Sequence, residues 1–409
     1  MGELSFIHAA DLHLDSPFKG LSHMPESIFH KVKNSTFEAL DRLVTAAIDR
    51  QVDFVLMAGD LFDNEKQSLK AQVRLRNAFE KLNRHHIKVY MSHGNHDFLS
   101  GNNHPITYPD NVFVFSSETV AHVTYAKNKE TLAAIYGFSY EKRSVTAEKA
   151  QEYDPVSDSI PYHIAMLHGS VYSNTEHDVY APFHITDLTG KDFDYWALGH
   201  IHQREILKED PPVVYPGNIQ GRSSKEAGPK GCYHVALSEK GTELTFLPLQ
   251  SILFRKLSVD ISGCEEAHEL ERVILQKVED TKEQTGPELV HLLLTGIPDH
   301  LREWEQAVEE IVQLVNETLM HRNDWTYIYR FEFSRPKQDP FRMLKEGSHF
   351  AGELLRHADE TSIQPYLDEL YRHRQAKKYV QAMTPEQESR VKERAKQLLI
   401  DELLHHGGD

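Results

Sequence analysis

Over the first 250 residues, short apolar runs alternate with longer stretches whose apolar positions recur every three or four residues. The runs Leu4–Ala9, Asp53–Met57, Lys88–Met91, Val112–Phe115, Ala133–Tyr136, Ile164–Leu167, Tyr195–Leu198 and Val213–Tyr215 predict strands. Between the first two, Val32, Phe37, Leu40, Leu43, Val44, Ala47 and Ile48 share one face of a helix predicted over Phe29–Arg50. Val73, Leu75, Phe79 and Leu82 do the same for Leu69–Leu82. Strand, helix, strand, helix, strand is the order that places helices on the faces of a sheet, so the fold class is α/β.

The texture changes near Lys256. A strand at Lys256–Ile261, a helix at Glu265–Glu283, a strand at Glu288–Thr295, a helix at Leu301–Met320 and a strand at Thr326–Phe333 make a compact second unit. Pro336 and Pro340 mark a linker, and residues 341–409 read as two or three helices. Leu354, Leu355, Tyr366, Leu367, Leu370 and Tyr371 form their apolar faces. Three domains follow: 1–255, 256–335 and 336–409.

Charge sharpens this division. The chain carries 45 Lys and Arg against 62 Asp and Glu, a net −17, which excludes a protein that coats nucleic acid with its whole surface. A local basic patch around bound metal remains compatible with that balance. Residues 260–310 hold 14 acids and 4 bases, the composition of a solvated face. Arg372 to Lys396 reverses the bias, with eight bases and three acids. Two cysteines, Cys232 and Cys264, are too few for a disulfide framework and lack the spacing of structural zinc. Met1–Phe6 has neither the basic start nor the apolar core of a secretory signal. No apolar run approaches the ~18 residues of a membrane helix, so a reducing cytoplasm is the expected compartment.

Histidine is abundant, at 26 residues, and part of it clusters. Five segments stand directly after predicted strands: Asp11-Leu12-His13, Gly59-Asp60, Gly94-Asn95-His96-Asp97, His168-Gly169 and Gly199-His200-Ile201-His202. Functional groups of α/β sheets gather at the carboxyl ends of strands, so these five can converge. Carboxylates and an amide mixed with imidazoles suit a pair of divalent ions such as manganese better than a thiolate-preferring metal. The glycines allow sharp turns and a close approach of backbone to the metals. Charged groups at buried strand ends are costly unless coordinated, which favours a functional reading of the set.

These motifs resemble the calcineurin-like metallophosphoesterases, whose signature runs D-x-H, G-D, G-N-H-D/E, H and G-H-x-H. HAADLHLDSPF, AGDLFDNEKQS and SHGNHD narrow the resemblance to bacterial SbcD-type DNA-repair exonucleases, in the YhaO branch. It covers the first 250 residues, and the second unit matches the family's small capping domain in order and size. The resemblance implies a four-layer fold, two mixed sheets flanked by helices, with a small α/β capping domain and a helical C-terminal tail. One metal would take Asp11, His13, Asp60 and His202; the other Asp60, Asn95, His168 and His200, with Asp60 bridging. An activated water would attack the phosphodiester phosphorus in line, and His96 would protonate the leaving oxygen. Asp63 occupies the place of an acid that orients this histidine, or else caps the following segment. Asp97 is expected to support the ligands, and His85, His86 and His93 fall outside the motif.

Tyr215–Arg222 resembles the turn after the family's last ligands; it presents amides and Arg222 to a DNA phosphate or is a plain tight turn. The absence of G-x-x-x-x-G-K-[ST] means that any ATP dependence comes from a partner. The family reading is therefore a manganese-dependent DNA exonuclease acting with an SbcC-like ATPase, whose coiled coil the tail would engage, and the family suggests a dimer. In the tail's other reading its helices pack on the chain's own core. Two rivals stay open: a phosphatase or cyclic-nucleotide phosphodiesterase with a small substrate, and a DNA-binding subunit that mainly scaffolds an ATPase.

Overall fold

The computed structural model describes residues 2–63, 67–101, 106–172, 180–282, 286–296 and 305–333, with isolated helical positions within 353–357 and 392–396. The chain divides into two compact units, Met1–Phe333 and Ser334–Asp409. In the second unit Leu354 is helical, whereas Pro336, Pro340, Leu355 and residues 366–371 lie outside the described residues.

The first unit is built on two six-stranded mixed sheets and a small third one. In the first sheet, β1 (Leu4–Ala9), β2 (Phe54–Ala58), β3 (Lys88–Ser92) and β4 (Val112–Val114) run parallel. α1 (Glu26–Asp49) and α2 (Leu69–Arg84) connect them. The second sheet has β6 (Glu130–Gly137), β7 (Tyr162–His168), β8 (Tyr195–Gly199) and β10 (Pro212–Tyr215) in parallel register. Antiparallel strands complete both sheets: β5 (Ala121–Lys127) and β9 (Glu205–Glu209) edge the second. β11 (Gly231–Ser238) pairs with β1, and β12 (Gly241–Pro248) with β11, in the first. None of these four stands out as an apolar run. β5, β9 and β12 are sheet-edge strands whose polar residues reach solvent, so only every second position is apolar.

The two sheets face each other. Phe6, Phe54 and Leu56 of the first pack on Ile164, Met166 and Tyr195 of the second. The alternate residues Ile7, Val55 and Met57 point the other way, beneath Phe37, Leu40 and Phe79 of the two long helices. Each such aliphatic or aromatic side chain, fully buried, contributes about 1.5–3 kcal/mol. His8 is the polar exception in this interior. Its Nδ1 lies 2.9 Å from the Tyr195 hydroxyl and its Nε2 3.0 Å from the Leu198 carbonyl, joining the sheets beside the strand ends. Burial pushes its pKa down to about 3, so it is a neutral structural residue.

The second sheet's outer face differs from the expectation of a full helical layer. Trp196, Tyr153, Phe193 and Leu198 are covered by α3 (Ile185–Thr189), a single 3-10 turn at Lys149–Glu152, and irregular chain. In the β6–β7 connection the 3-10 turn stops at Glu152, and Pro155 and Pro161 carry the chain on to β7 without a helix.

The third sheet, β13 (Leu253–Asp260), β14 (Glu288–Thr295) and β15 (Thr326–Phe333), is parallel throughout. One face packs on α4 (Ala267–Asp280) and α5 (Glu305–Leu319) through Leu257, Val290, Leu292, Ile274 and Val315. The other meets Ile28 and Val32 of α1 through Phe254, Leu289 and Trp325. Among the described residues no helix is long and apolar enough to cross a membrane.

Candidate metal centre

Both sheets bring strand ends to one place. Asp11 and His13 follow β1, Asp60 follows β2, and Asn95 and His96 follow β3. His168 ends β7, and His200 and His202 follow β8. Three glycines make the convergence sterically feasible. A Cβ at Gly94 would lie 2.3 Å from Asp60 Oδ1, one at Gly59 2.3 Å from His168 Nδ1, and one at Gly199 1.9 Å from the Ala58 carbonyl. Four of the site's own residues are left-handed: Asp11 (φ 52), His13 (φ 43), Asp60 (φ 51) and His200 (φ 99). Such backbone costs about 1–3 kcal/mol per residue and collects where function requires it.

Asp60 sits at the middle. Its Oδ2 is 3.5 Å from His168 Nε2 and 3.8 Å from His13 Nε2, while Oδ1 accepts the His96 backbone N–H at 2.9 Å. Asn95 Oδ1 lies 3.1 Å from His168 Nε2 and 3.2 Å from His200 Nδ1. On the opposite side, the Nε2 atoms of His13 and His202 face each other at 3.0 Å. The Asp11 carboxylate accepts the His200 backbone N–H at 3.0 and 3.1 Å. Asp11–His13–His202, Asp11–Asp60–His168 and His13–Asp63–His96 each gather their ligand atoms within 4.8 Å. All seven residues expected as ligands are thus in one cluster.

This donor set fits two cations. Buried carboxylates and imidazole nitrogens crowd together, the Nε2 atoms of His13 and His202 facing each other at 3.0 Å, and His13 Nδ1 is buried without a hydrogen-bond partner. The electrostatics agree. Burial opposes the charge of Asp60, yet His168, His13 and His96 hold its carboxyl well below the usual range. Burial likewise opposes the His168 imidazolium, but Asp60 and Asp11 raise its pKa to about 9. Burial pushes Asp11 up, and burial together with Arg222 pushes His13 well down. Negative charge concentrated on Asp60 beside imidazoles is a site that a divalent ion would neutralise.

His96 stands edge-on to His13, ring centroids 4.9 Å apart. Its Nδ1 lies 2.9 Å from the Asp63 backbone carbonyl. The Asp63 side chain pairs with Arg222 and lies 3.4 Å from His13 Nδ1. Arg222 thus holds this carboxylate in a charge-assisted pair, the stronger kind of hydrogen bond. Asp97 supports the loop as expected, accepting the Leu61 and Gly94 N–H groups at 2.8 and 2.7 Å. Beside the cluster opens a cavity of about 390 Å³ lined by Lys19, Asp63, Asn95, His96, Arg143 and Arg222.

The turn after β10 packs against the site. Gly217 (φ 75) lies so close that a Cβ would come 2.8 Å from the His202 carbonyl, which also accepts from Lys230 Nζ at 2.7 Å. Glu226 Oε1 is 2.8 Å from His202 Nδ1. Burial opposes its charge, but His202 and Arg222 hold its carboxyl below the ordinary range. Glu226 and Lys230 carry no strand-end motif; Ser223 followed three residues later by Glu226 is the one local signal, and it is shared by many helix starts.

Comparison with known proteins agrees with this geometry. The family model described as calcineurin-like phosphoesterase matches residues 4–204. The Bacillus subtilis (strain 168) protein described as uncharacterized metallophosphoesterase YhaO is 38% identical over 408 residues, 98% of each chain. The DNA double-strand break repair protein Mre11 of Methanocaldococcus jannaschii is 26% identical over 223 residues, 53% of this chain and 57% of that one. Its namesake in Methanosarcina acetivorans is 24% identical over 385 residues, 87% and 58% of the two chains. With strand-end Asp, Asn and His residues in the family's order and a relative alike from end to end, the chain belongs to the calcineurin-like metallophosphoesterases.

Proposed function

We propose that this metal-dependent phosphoesterase is a DNA exonuclease that uses two manganese ions. Asp11, His13, Asp60 and His202 would hold one ion, and Asp60, Asn95, His168 and His200 the other. Bound there, the ions supply charge neutralisation at the phosphate and a water acidic enough to serve as nucleophile. The chain's own residues do the rest. His96 donates through Nδ1 to the Asp63 carbonyl, which leaves Nε2 as its working nitrogen beside the cavity. Protonated, it gives that proton to the leaving sugar oxygen. Asp63 acts indirectly, by fixing Arg222 at the mouth and lending its carbonyl to His96.

The observation that carries the reading is the mouth itself. In a chain of net charge −17, Lys19, Arg143 and Arg222 line one cavity with Asn95 and His96. Cations placed there position phosphates without reading bases. At about 390 Å³ the cavity takes a nucleotide-sized piece, as a strand end would provide. The repair role in the names of the two Mre11 relatives supports DNA as substrate. Under this reading residues 1–255 are the nuclease domain, 256–335 the capping domain, and 336–409 the region that engages an SbcC-like ATPase in the cytoplasm. A homodimer belongs to the same family likeness.

End-labelled linear DNA incubated with the protein and manganese tests the proposal. Products shortening progressively from one end are expected. Intact DNA alongside rapid cleavage of a small phosphomonoester would replace it with a phosphatase.

A further inference from the structure

Four donors converge on one half-buried carboxylate outside the proposed ligand set. Glu226 ends the short segment Ser224–Glu226 after β10, with its side chain 14% exposed. Its Oε2 accepts from Asn218 Nδ2 at 2.7 Å and from the Arg222 backbone N–H at 2.8 Å. Its Oε1 faces His202 Nδ1 at 2.8 Å and Arg222 Nη2 at 3.4 Å. A carboxylate can only accept, so a bare Nδ1 at that distance would set two lone pairs against each other. Arg222 Nη2 also approaches Nδ1, but at 3.2 Å, and its other terminal nitrogen is committed to Asp63. The nearer carboxylate decides, and the proton sits on Nδ1. In the neutral ring, the form that can bind a metal, the Nε2 lone pair then points at His13, whose own Nε2 is 3.0 Å away.

Behind His168 and His13 the hold is weaker. His168 Nδ1 lies against a neutral backbone carbonyl, that of Ala58, at 3.0 Å, and the carboxylate nearest His13 Nδ1, that of Asp63, stands off at 3.4 Å and is paired with Arg222. A charged acceptor behind a histidine fixes its tautomer and makes its free nitrogen a better donor to a metal. We infer that Glu226 is a positioning residue that, through His202, sets the affinity of the cation position shared by Asp11, His13 and His202. This rests on the two-cation reading of the site but is independent of the substrate. Gln in place of Glu226 cannot repair the site. Its single carbonyl oxygen can serve either Asn218 and Arg222 or His202, and its amide then confronts the other side as a donor. A turned amide would even force His202 into the Nε2–H tautomer, which removes the lone pair facing His13.

Calorimetric titration of the full-length, metal-stripped protein with manganese alone tests the inference without any substrate. Wild type should bind two ions. Glu226→Gln should keep one near wild-type strength and lose about 10–100-fold at the other, as removal of such outer partners does. In a His202→Ala background the same substitution should cost nothing further. An equal loss in both backgrounds would mean that Glu226 merely braces the 218–222 turn, and would overturn the inference, as would unchanged affinity in Glu226→Gln. A wild type that holds fewer than two ions would instead overturn the reading beneath it. Should Glu226→Gln fail to fold, imidazole nitrogen shifts of the wild type decide. With the His202 signals assigned by their loss in His202→Ala, an Nδ1–H tautomer supports the inference and an Nε2–H tautomer overturns it.

Discussion

Replacing Gly94 by alanine adds a single methyl group between Asp60 and His168, two of the proposed ligands. Its Cβ would stand 2.3 Å from Asp60 Oδ1 and 2.6 Å from His168 Nε2, where ordinary contact begins at 3.4 Å. One or both side chains must therefore retreat by about 1 Å. Neither is free to do so: Asp60 Oδ1 accepts the His96 N–H at 2.9 Å, and His168 Nδ1 is tied to the Ala58 carbonyl at 3.0 Å. Metal–ligand distances tolerate only about ±0.2 Å, so a shift of this size is felt directly by the ions. Overpacking of this kind costs about 1–3 kcal/mol. Falling on cation binding, that is about 5- to 150-fold in affinity. Falling on the fold, it lowers the melting temperature by a few degrees. Gly20→Ala is the control, because nothing lies within 4 Å of the added Cβ. Manganese titration and thermal melts of metal-stripped protein should show Gly94→Ala weakened in binding, stability or both, and Gly20→Ala unchanged in each. Wild-type affinity together with a wild-type melt for Gly94→Ala would refute this account of the close approach.

His96→Ala should retain both ions yet lose about 10²–10⁴ in turnover on DNA, with a smaller loss on a nitrophenyl diester whose leaving group needs no proton. Equal losses on the two substrates would assign His96 a positioning role instead. Cation binding should release protons at pH 7. His168, with a pKa raised to about 9 in the metal-free protein, is protonated there and must give up that proton to ligate. Affinity should therefore weaken as pH falls, and calorimetry in two buffers of different ionisation heat should count the proton; no release at pH 7 would contradict the assignment. Ending the chain at Pro336 should leave a folded phosphodiesterase, because the ligands all lie within the compact unit Met1–Phe333, while removing capture of an SbcC-like ATPase in a co-purification assay. Capture by the truncated chain would move the docking surface elsewhere.

The clearest signals in the sequence were those whose cause is local. Polar residues directly after an apolar run are expensive at a buried strand end, which is why Asp11, Asp60, Asn95, His168 and His200 could be picked out before any geometry was available. The parallel strands and the two long helices were visible for the same reason, since burial of whole faces imposes a period. What could not be read depended on distant partners. β11 is a strand in the middle of a sheet because β1, more than two hundred residues earlier, pairs with it as Phe6↔Val235. β12 follows from β11, and its alternating exposed positions resemble an ordinary polar loop. The Asp63–Arg222 pair was equally hidden, because Arg222 arrives from 159 residues away. Glu226 was invisible for that reason too: its significance lies in His202, on another segment, and no spacing rule links them.

Hydrolysis of a generic phosphodiester by wild type and Asp60→Asn, followed across manganese concentration alongside bound-metal stoichiometry, tests the central claim most directly. Asp60 lies between His13 and His168 and carries the charge that two ions would share. The account predicts two ions and manganese-dependent hydrolysis in wild type, with magnesium restoring less activity because imidazoles favour manganese. Asp60→Asn should fold, hold fewer than two ions and remain inactive at saturating manganese. Normal hydrolysis by Asp60→Asn under those conditions would contradict the two-metal centre.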